Sequence, residues 1–535
     1  MTIDERIEKL SLEDLVGQVL CYDIYDHDDP KDVENIIKEI KPGGIFLTGM
    51  SSEKIKMYTE MVNKYTKVPV IVASDIENGP ETAVKGTGYL PHPMAWGACD
   101  DEKLIEKAGK IVGSICRENG VHCTFSPIVD INYNFRSAEC NIRAISDSPK
   151  EVVKIASALV RGLEDNDNMV ACAKHFPGQG IDERNSHFVT TINSLSKEEW
   201  MATYGYVYKE FIKSGIGSIM MGHSALPAFQ KEFDECGPLP AVLSYSLMTE
   251  FLKGELGFDG CIVSDAMSMI GVAAMVKDLK NLAVDFINAG GDMILFPEPT
   301  DFDTLLKAVK SSKLSKARLI DAVKRVFRLK ERVKIFADQK HVLNKKYTTK
   351  ELSVVSQEIA NRSIKVVRDY NKILPLKVPA KSRILMINLL EPHFHKLPSG
   401  NEFDAMRKEL EDMGFIVDVM TNPKHKVVQE CINNYSAVLM NCKMSSKDYH
   451  GGSLRIGWNN VMVMWRGYVL QHPKFVFTSF GDPYKLFDMP YLKEYINAFS
   501  FTDESQIAAI NVIFGKIKPT AKNPISFDGY FEREV

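Results

Sequence analysis

The chain has 535 residues, of which 45% are hydrophobic and 25% charged. That balance belongs to a core-forming protein of several domains and excludes a disordered or collagen-like chain. Lysine and arginine number 66 against 70 aspartate and glutamate, a net charge of −4, so no bulk positive field draws nucleic acid or anionic membrane.

The N-terminus, MTIDERIEKLSLEDLVGQVL, carries acids from its fourth residue and lacks the apolar core of a secretory signal. Eight short apolar runs follow, at 18–24, 43–49, 68–75, 122–130, 169–175, 217–223, 261–267 and 292–297. Each predicts a strand. Amphipathic stretches separate most of them, such as DEKLIEKAGKIVGSICREN (101–119) and SKEEWMATYGYVYKEFIKSG (196–215). Apolar strands alternating with helices imply a parallel sheet covered on both faces. Eight such units in about 300 residues predict a TIM (β/α)8 barrel. An open doubly wound sheet is the alternative, but no G-x-G-x-x-G follows the first strand.

A charged helix is predicted over 316–336. The polar stretch after it reads as a linker, assigned to 338–356, which leaves a barrel over 1–337. The pattern then restarts. A helix near 350–361 leads into strands SIKVVRD, SRILMINLL, GFIVDVM, YSAVLMN, FVFTSFG and INVIF. They predict a smaller C-terminal α/β sandwich domain over 357–535.

None of these runs is long enough to span a bilayer. The ten cysteines form no C-x-x-C pair, and Cys21, Cys172 and Cys261 lie inside apolar runs. Buried reduced thiols fit better than a disulfide framework. A cytoplasmic location is expected; a chain whose leader has been removed is the alternative.

Chemistry in a barrel sits at the C-terminal ends of its strands. Here those ends are polar. The third strand ends in Asp75 with Glu77 beyond it, and the fourth in Asp130. The fifth ends in Lys174-His175, the sixth in His223 and the seventh in Asp265. One such residue alone reads as a turn or helix cap. Five strands ending this way predict a pocket that grips hydroxyl groups. A metal site of Asp75, His175, His223 and Asp265 is the competing arrangement. It lacks the H-x-H after the first strand, and Lys174 would place a cation beside the ion. No metal or cofactor is therefore expected.

The segment AKHFPGQGIDERNSHF (173–188) resembles the K-H-[FI]-P-G-H-G-x4-D-S-H signature of family 3 glycoside hydrolases, in their β-N-acetylglucosaminidase branch. GFDGCIVSDAMSM (257–269) is similar to that family's nucleophile segment. Weaker likenesses lie in LPHPMAWGA (90–98), VHCTFSPIVDI (121–131), AGGDMILFP (289–297), SFGDPY (479–484) and the 506–515 stretch. The resemblance covers nearly the whole chain and implies the same barrel with a second domain.

It also implies a retaining glycosidase acting on terminal β-linked N-acetylglucosamine. Asp265 would be the nucleophile that forms a covalent glycosyl-enzyme. His187, on the loop after the fifth strand, would be the acid/base. Asp75, Arg143, Lys174, His175 and His223 would hold the sugar. The implied partner is a carbohydrate, with neither nucleic acid nor membrane; oligomeric state is not readable.

Three departures matter. The family pairs its histidine with an aspartate two residues earlier, where this chain has Asn185. The P-G-H-G histidine is Gln179. The A-D-Q-E-G-G segment is SDIENG. Three readings follow. One is a hydrolase in which Asp182 or Glu183 supports His187. The second is a phosphorylase or transglycosylase, because removing the dyad charge reduces repulsion of an anionic acceptor. The third is a catalytically impaired sugar-binding protein. The first is preferred, since nucleophile, histidine and sugar-gripping residues all remain.

Overall fold

The computed structural model describes residues 1–534 apart from Lys277, 338–344, 391–400 and 445–455. The chain forms two compact units. The first comprises Met1–Tyr89, Glu102–Ile131 and Val152–Leu352. The second comprises Leu90–Asp101, Asn132–Glu151 and Ser353–Val535. The units are thus discontinuous in sequence: segments following the third and fourth strands cluster with the C-terminal part. Of the expected linker, 338–344 lies outside the described residues, and helix Thr349–Ser363 takes up its end.

The first unit holds eight parallel strands. They are β1 (Leu20–Ile24), β2 (Gly44–Leu47), β3 (Ile71–Ser74), β4 (Cys123–Thr124), β5 (Val170–Phe176), β6 (Ser218–Met221), β7 (Cys261–Ser264) and β8 (Ile294–Leu295). Seven fall inside their apolar runs, and β5 extends one residue past its run, to Phe176. The sheet order is β8-β1-β2-β3-β4-β5-β6-β7. Met293 closes the ring: its N–H donates to Ile262 O at 3.1 Å, and its carbonyl accepts from Ser264 N–H at 3.0 Å. Alternate residues fill the inside, among them Cys21, Phe46, Ala73, Cys123, Cys172, Met220 and Val263. These side chains pack a barrel core rather than lining a pore.

The helices follow their amphipathic patterns. Glu102–Glu118 buries Leu104, Ile105, Ala108, Ile111, Val112 and Ile115. Lys316–Arg332 is capped by the Ser315 side chain. The 196–215 stretch forms two helices rather than one, Lys197–Ala202 and Tyr204–Lys213. Thr203 breaks it with non-helical φ −117° and ψ −93°.

The second unit is a six-stranded mixed sheet. Its strands are β9 (Lys365–Asp369), β10 (Arg383–Leu390), β11 (Ile416–Thr421), β12 (Ala437–Lys443), β13 (Phe475–Ser479) and β14 (Glu494–Asn497). Their order is β9-β14-β13-β12-β10-β11, with only the β9–β14 pair antiparallel among them. Strand β10 shows the sandwich directly. Leu385, Ile387 and Leu389 join one apolar cluster; Ile384, Met386 and Leu390 join another. Met94, Ala95, Ala98 and Ile142, from the two inserted segments, pack into the first cluster.

One strand expectation fails. INVIF (510–514) is not a strand; it falls in and just after helix Asp503–Ile513, and the sixth strand is Glu494–Asn497. The helix buries Ser505, Gln506, Ala508, Ala509, Ile510, Val512 and Ile513. A helix buried on most of its faces loses its 3.6-residue polar stripe, and its sequence then imitates a buried strand.

All ten cysteines are free thiols. Among the described residues, no helix is long and apolar enough to cross a membrane.

Candidate active site

Strand periodicity of two carries the barrel interior upward into polar groups. On β3 the interior residues Ile71 and Ala73 are followed by Asp75. On β5 Val170 and Cys172 are followed by Lys174. On β7 Cys261 and Val263 are followed by Asp265. The mouth of the barrel is built by continuing the pattern that builds its core.

Lys174 is only 3% exposed, and its ammonium is held between two carboxylates. Nζ lies 2.7 Å from Asp75 Oδ1 and 2.9 Å from Glu77 Oε1. Asp75 stays partly open to solvent while Glu77 is buried. The Lys174–His175 and Phe176–Pro177 peptides are cis.

His175 is oriented by Asp130. Its Nδ1–H donates to Asp130 Oδ2 at 2.7 Å, and its backbone N–H reaches the same oxygen at 3.2 Å. The other oxygen, Oδ1, accepts from Gln179 N–H at 2.7 Å. Asp130 therefore sets the imidazole tautomer and anchors the start of the loop after β5. A carboxylate is suited to this because it accepts several hydrogen bonds at once.

The loop is then fixed by close approaches. Gly178 has φ +110°, and a Cβ there would come within 2.2 Å of the Tyr204 ring. Trp200 Nε1–H donates to Pro177 O at 2.8 Å. Gln179 is buried, and its Oε1 has no hydrogen-bond partner among the described residues.

His187 lies further along this loop. Asn185 Oδ1 accepts from its Nδ1–H and its backbone N–H, each at 2.8 Å. The chain after Asp265 meets the same loop: Gly271 N–H donates to His187 O at 3.3 Å, and Thr190 Oγ1–H donates to Gly271 O at 2.7 Å. A Cβ on Gly271 would lie 2.0 Å from Ser186 O.

Of the two acids expected to support His187, Asp182 has its partners elsewhere in the loop. Asp182 binds the Arg184 guanidinium, with Oδ2–Nη2 2.6 Å, and accepts from Ile192 N–H at 2.9 Å. Burial raises its pKa, but Arg184 and the Ile192 N–H together bring it below the ordinary value. Glu183 is exposed. It is Asn185 that holds the imidazole.

Asp265 follows β7. Burial alone would raise its pKa, but His223, His175, the Ala266 N–H and Lys174 hold it below the ordinary carboxylate range. His223 is fully buried, and burial lowers its pKa against the pull of Asp265. Its Nε2–H donates to Ala266 O at 3.0 Å; Nδ1 has no hydrogen-bond partner among the described residues. His223 also feels the charges of His187 and His175. One electrostatic cluster thus joins Asp265, His223, His175, His187 and Lys174.

Arg143 belongs to the second unit. There its Nη1 donates to Glu139 O at 2.9 Å and lies 3.3 Å from Glu139 Oε2. Asp130 was visible in the sequence as a polar strand end, but its hold on His175 and Gln179 was not. Glu77 stands two residues past Asp75 in the sequence, and its bond to Lys174 depends on the fold.

The chain resembles known proteins. Residues 2–329 match the glycosyl hydrolase family 3 N-terminal domain. A β-N-acetylglucosaminidase/β-glucosidase of Cellulomonas fimi is 25% identical over 99% of this chain and 96% of its own. A β-hexosaminidase of Methylobacillus flagellatus is 29% identical over 50% of this chain and 77% of its own. Among solved structures, the β-glucoside phosphorylase BglX bound to 2FGlc superposes with a TM-score of 0.88. It is 27% identical, over 98% of this chain and 96% of that one.

Proposed function

Because this chain belongs to glycosyl hydrolase family 3 and is a glycosidase of that family, we propose a retaining mechanism run by Asp265 and His187. The preferred substrate is a terminal β-linked N-acetylglucosamine. The observation that carries this reading is the set of groups around Asp265: burial would raise its pKa, but His223, His175, the Ala266 N–H and Lys174 lower it. An ionised carboxylate is what attack on an anomeric carbon requires.

The first step breaks the bond between the anomeric carbon and the leaving oxygen. Asp265 forms an ester to that carbon, and protonated His187 gives its Nε2 proton to the departing oxygen. In the second step neutral His187 takes a proton from water, whose oxygen attacks the anomeric carbon and frees Asp265. Asn185 keeps Nδ1 protonated through its acceptor oxygen, so Nε2 carries the proton traffic. Asp75, Lys174 and His175 bind sugar hydroxyls.

A second reading has phosphate in place of water. Two observations favour it. A neutral amide stands beside His187 where a carboxylate would repel an anion, and one similar structure is named a phosphorylase. A cytoplasmic location fits the ten free thiols.

The test is release of nitrophenol from an aryl β-N-acetylglucosaminide, with and without phosphate. Wild type should turn over, and Asp265→Ala should not. Wild-type-like turnover by Asp265→Ala would contradict the mechanism. Sugar 1-phosphate formed at the expense of free sugar would establish the second reading.

A further inference from the structure

The second unit contains a cleft of about 410 Å³ that the mechanism above does not use. Its lining includes Asn132, Tyr133, Asp147, Phe527, Tyr530 and Arg533. All of them lie in the second unit, and none is in the barrel. The volume falls within the usual range for small-molecule sites.

The apolar part is aromatic. Phe527 stacks on Tyr530 with centroids 4.5 Å apart, and Phe135 packs against it at 5.1 Å. Tyr133 lines the cleft and is 41% exposed.

The polar part is incompletely satisfied. Asn132 is 4% exposed; its Nδ2 donates to the Tyr484 hydroxyl at 2.7 Å, but its Oδ1 has no hydrogen-bond partner among the described residues. Leaving a buried amide oxygen unmatched costs about 1–3 kcal/mol. Arg533 Nε lies 2.8 Å from Asp147 Oδ1 as an ion pair. Its two terminal nitrogens remain as donors. Ser526 Oγ accepts from Arg533 N–H at 3.0 Å and keeps its own proton to donate.

Three properties define a matching ligand. It presents an apolar face to aromatic rings. It presents several hydroxyls, because the cleft offers separate donors and acceptors rather than a single ion clamp. It carries no strong negative charge, since Asp147 and Asp528 outnumber Arg533. We propose that this cleft is a second, non-catalytic binding site for a neutral pyranose unit. The C–H face of the ring would lie on Tyr133 or Tyr530. Its hydroxyls would pair with the Arg533 terminal nitrogens, Ser526 Oγ and Asp528, while Asn132 holds the Tyr484 ring in the cleft wall. Such a site would hold part of a glycan independently of the bond being cleaved, raising effective concentration rather than intrinsic rate.

The experiment uses the full chain and three probes: N,N′-diacetylchitobiose, cellobiose and adenosine. Binding is followed by calorimetry for wild type, Tyr133→Ala, Asn132→Ala and Arg533→Ala, alongside kcat/KM on a simple aryl glycoside. The expected result is a saccharide-binding event weakened at least tenfold in all three variants. Aryl glycoside kcat/KM should stay within about twofold of wild type. Arg533→Ala also breaks an ion pair, so Tyr133→Ala, which removes a half-exposed ring, keeps the test decisive if that variant fails to fold. Unchanged saccharide isotherms in Tyr133→Ala and Asn132→Ala would overturn the proposal. So would binding of adenosine alone, or a wild-type dimer that Tyr133→Ala dissociates without any effect on saccharide.

Discussion

Asn185 and His187 are joined twice: one amide oxygen accepts from both the imidazole Nδ1–H and the His187 backbone N–H, each at 2.8 Å. The bond fixes ring direction as a carboxylate would, without adding a charge. Orientation and electrostatic support, usually supplied by one group, are here separated.

That separation gives the first prediction. In Asn185→Asp a carboxylate faces Nδ1, and an adjacent opposite charge favours the protonated imidazole. The basic limb of the kcat/KM–pH profile should move to higher pH, with hydrolysis of poor leaving groups rising. In a serine protease triad the reverse change, aspartate to asparagine, costs about four orders of magnitude. Asn185→Ala loses orientation as well and should fall below wild type. Superimposable pH profiles for wild type and Asn185→Asp would mean that His187 is not the proton-transfer group.

Lys174 is the second test. Its ammonium neutralises buried Glu77 at 2.9 Å and reaches Asp75 at 2.7 Å. Removing one partner of a buried pair costs about 3–5 kcal/mol. Lys174→Met should therefore lower Tm on the order of 10 °C. The double variant Lys174→Met/Glu77→Gln should recover much of that loss without recovering sugar affinity. Equal Tm values for the single and double variants would show that the pair is not what holds Glu77.

Gly271 tests how the loop is positioned. A Cβ there would lie 2.0 Å from Ser186 O and 2.9 Å from Val189 O. Gly271→Ala must push away the segment that carries His187. A misplacement near 1 Å costs about a hundredfold in rate. We expect kcat to drop by more than tenfold, with Tm nearly unchanged. A variant with normal kcat would show that the loop works without this contact.

His223 predicts a pH effect on stability. Burial lowers its pKa from 6.5 in the folded chain. As pH falls through 6.5, the unfolded chain takes up a proton that folded His223 still refuses. Stability is therefore lost on acidification below about pH 6.5. Asp265 acts the same way, but only below the ordinary carboxylate range, because its folded pKa is lowered. Between pH 7 and 5 the slope of Tm should flatten in His223→Asn. An unaltered slope would place the acid sensitivity elsewhere.

Much of this was legible in the sequence, and the reasons are physical. The eight barrel strands are continuous apolar runs because both faces of a parallel sheet are buried. Asp75, Lys174 and Asp265 continue the two-residue interior period of their strands, so their place at the mouth followed from their spacing. Asp130 did not reveal its role, since its partners His175 and Gln179 are 45 and 49 residues away. The membership of 90–101 and 132–151 in the second unit was also hidden. It rests on apolar packing of residues such as Met94 and Ile142 against strands more than 200 residues later. Arg143 rides on one of those segments. INVIF misled because a buried helix carries no polar stripe to mark its period.

The account rests on Asp265 as the group that takes the sugar. The most direct measurement is intact-protein and peptide mass spectrometry after reaction with a 5-fluoro β-N-acetylglucosaminyl donor, which slows release of a glycosyl-enzyme. The account predicts a single glycosyl adduct, mapped to the peptide containing Asp265 and absent in Asp265→Ala. An adduct on another residue, or turnover with inversion and no adduct, would contradict it.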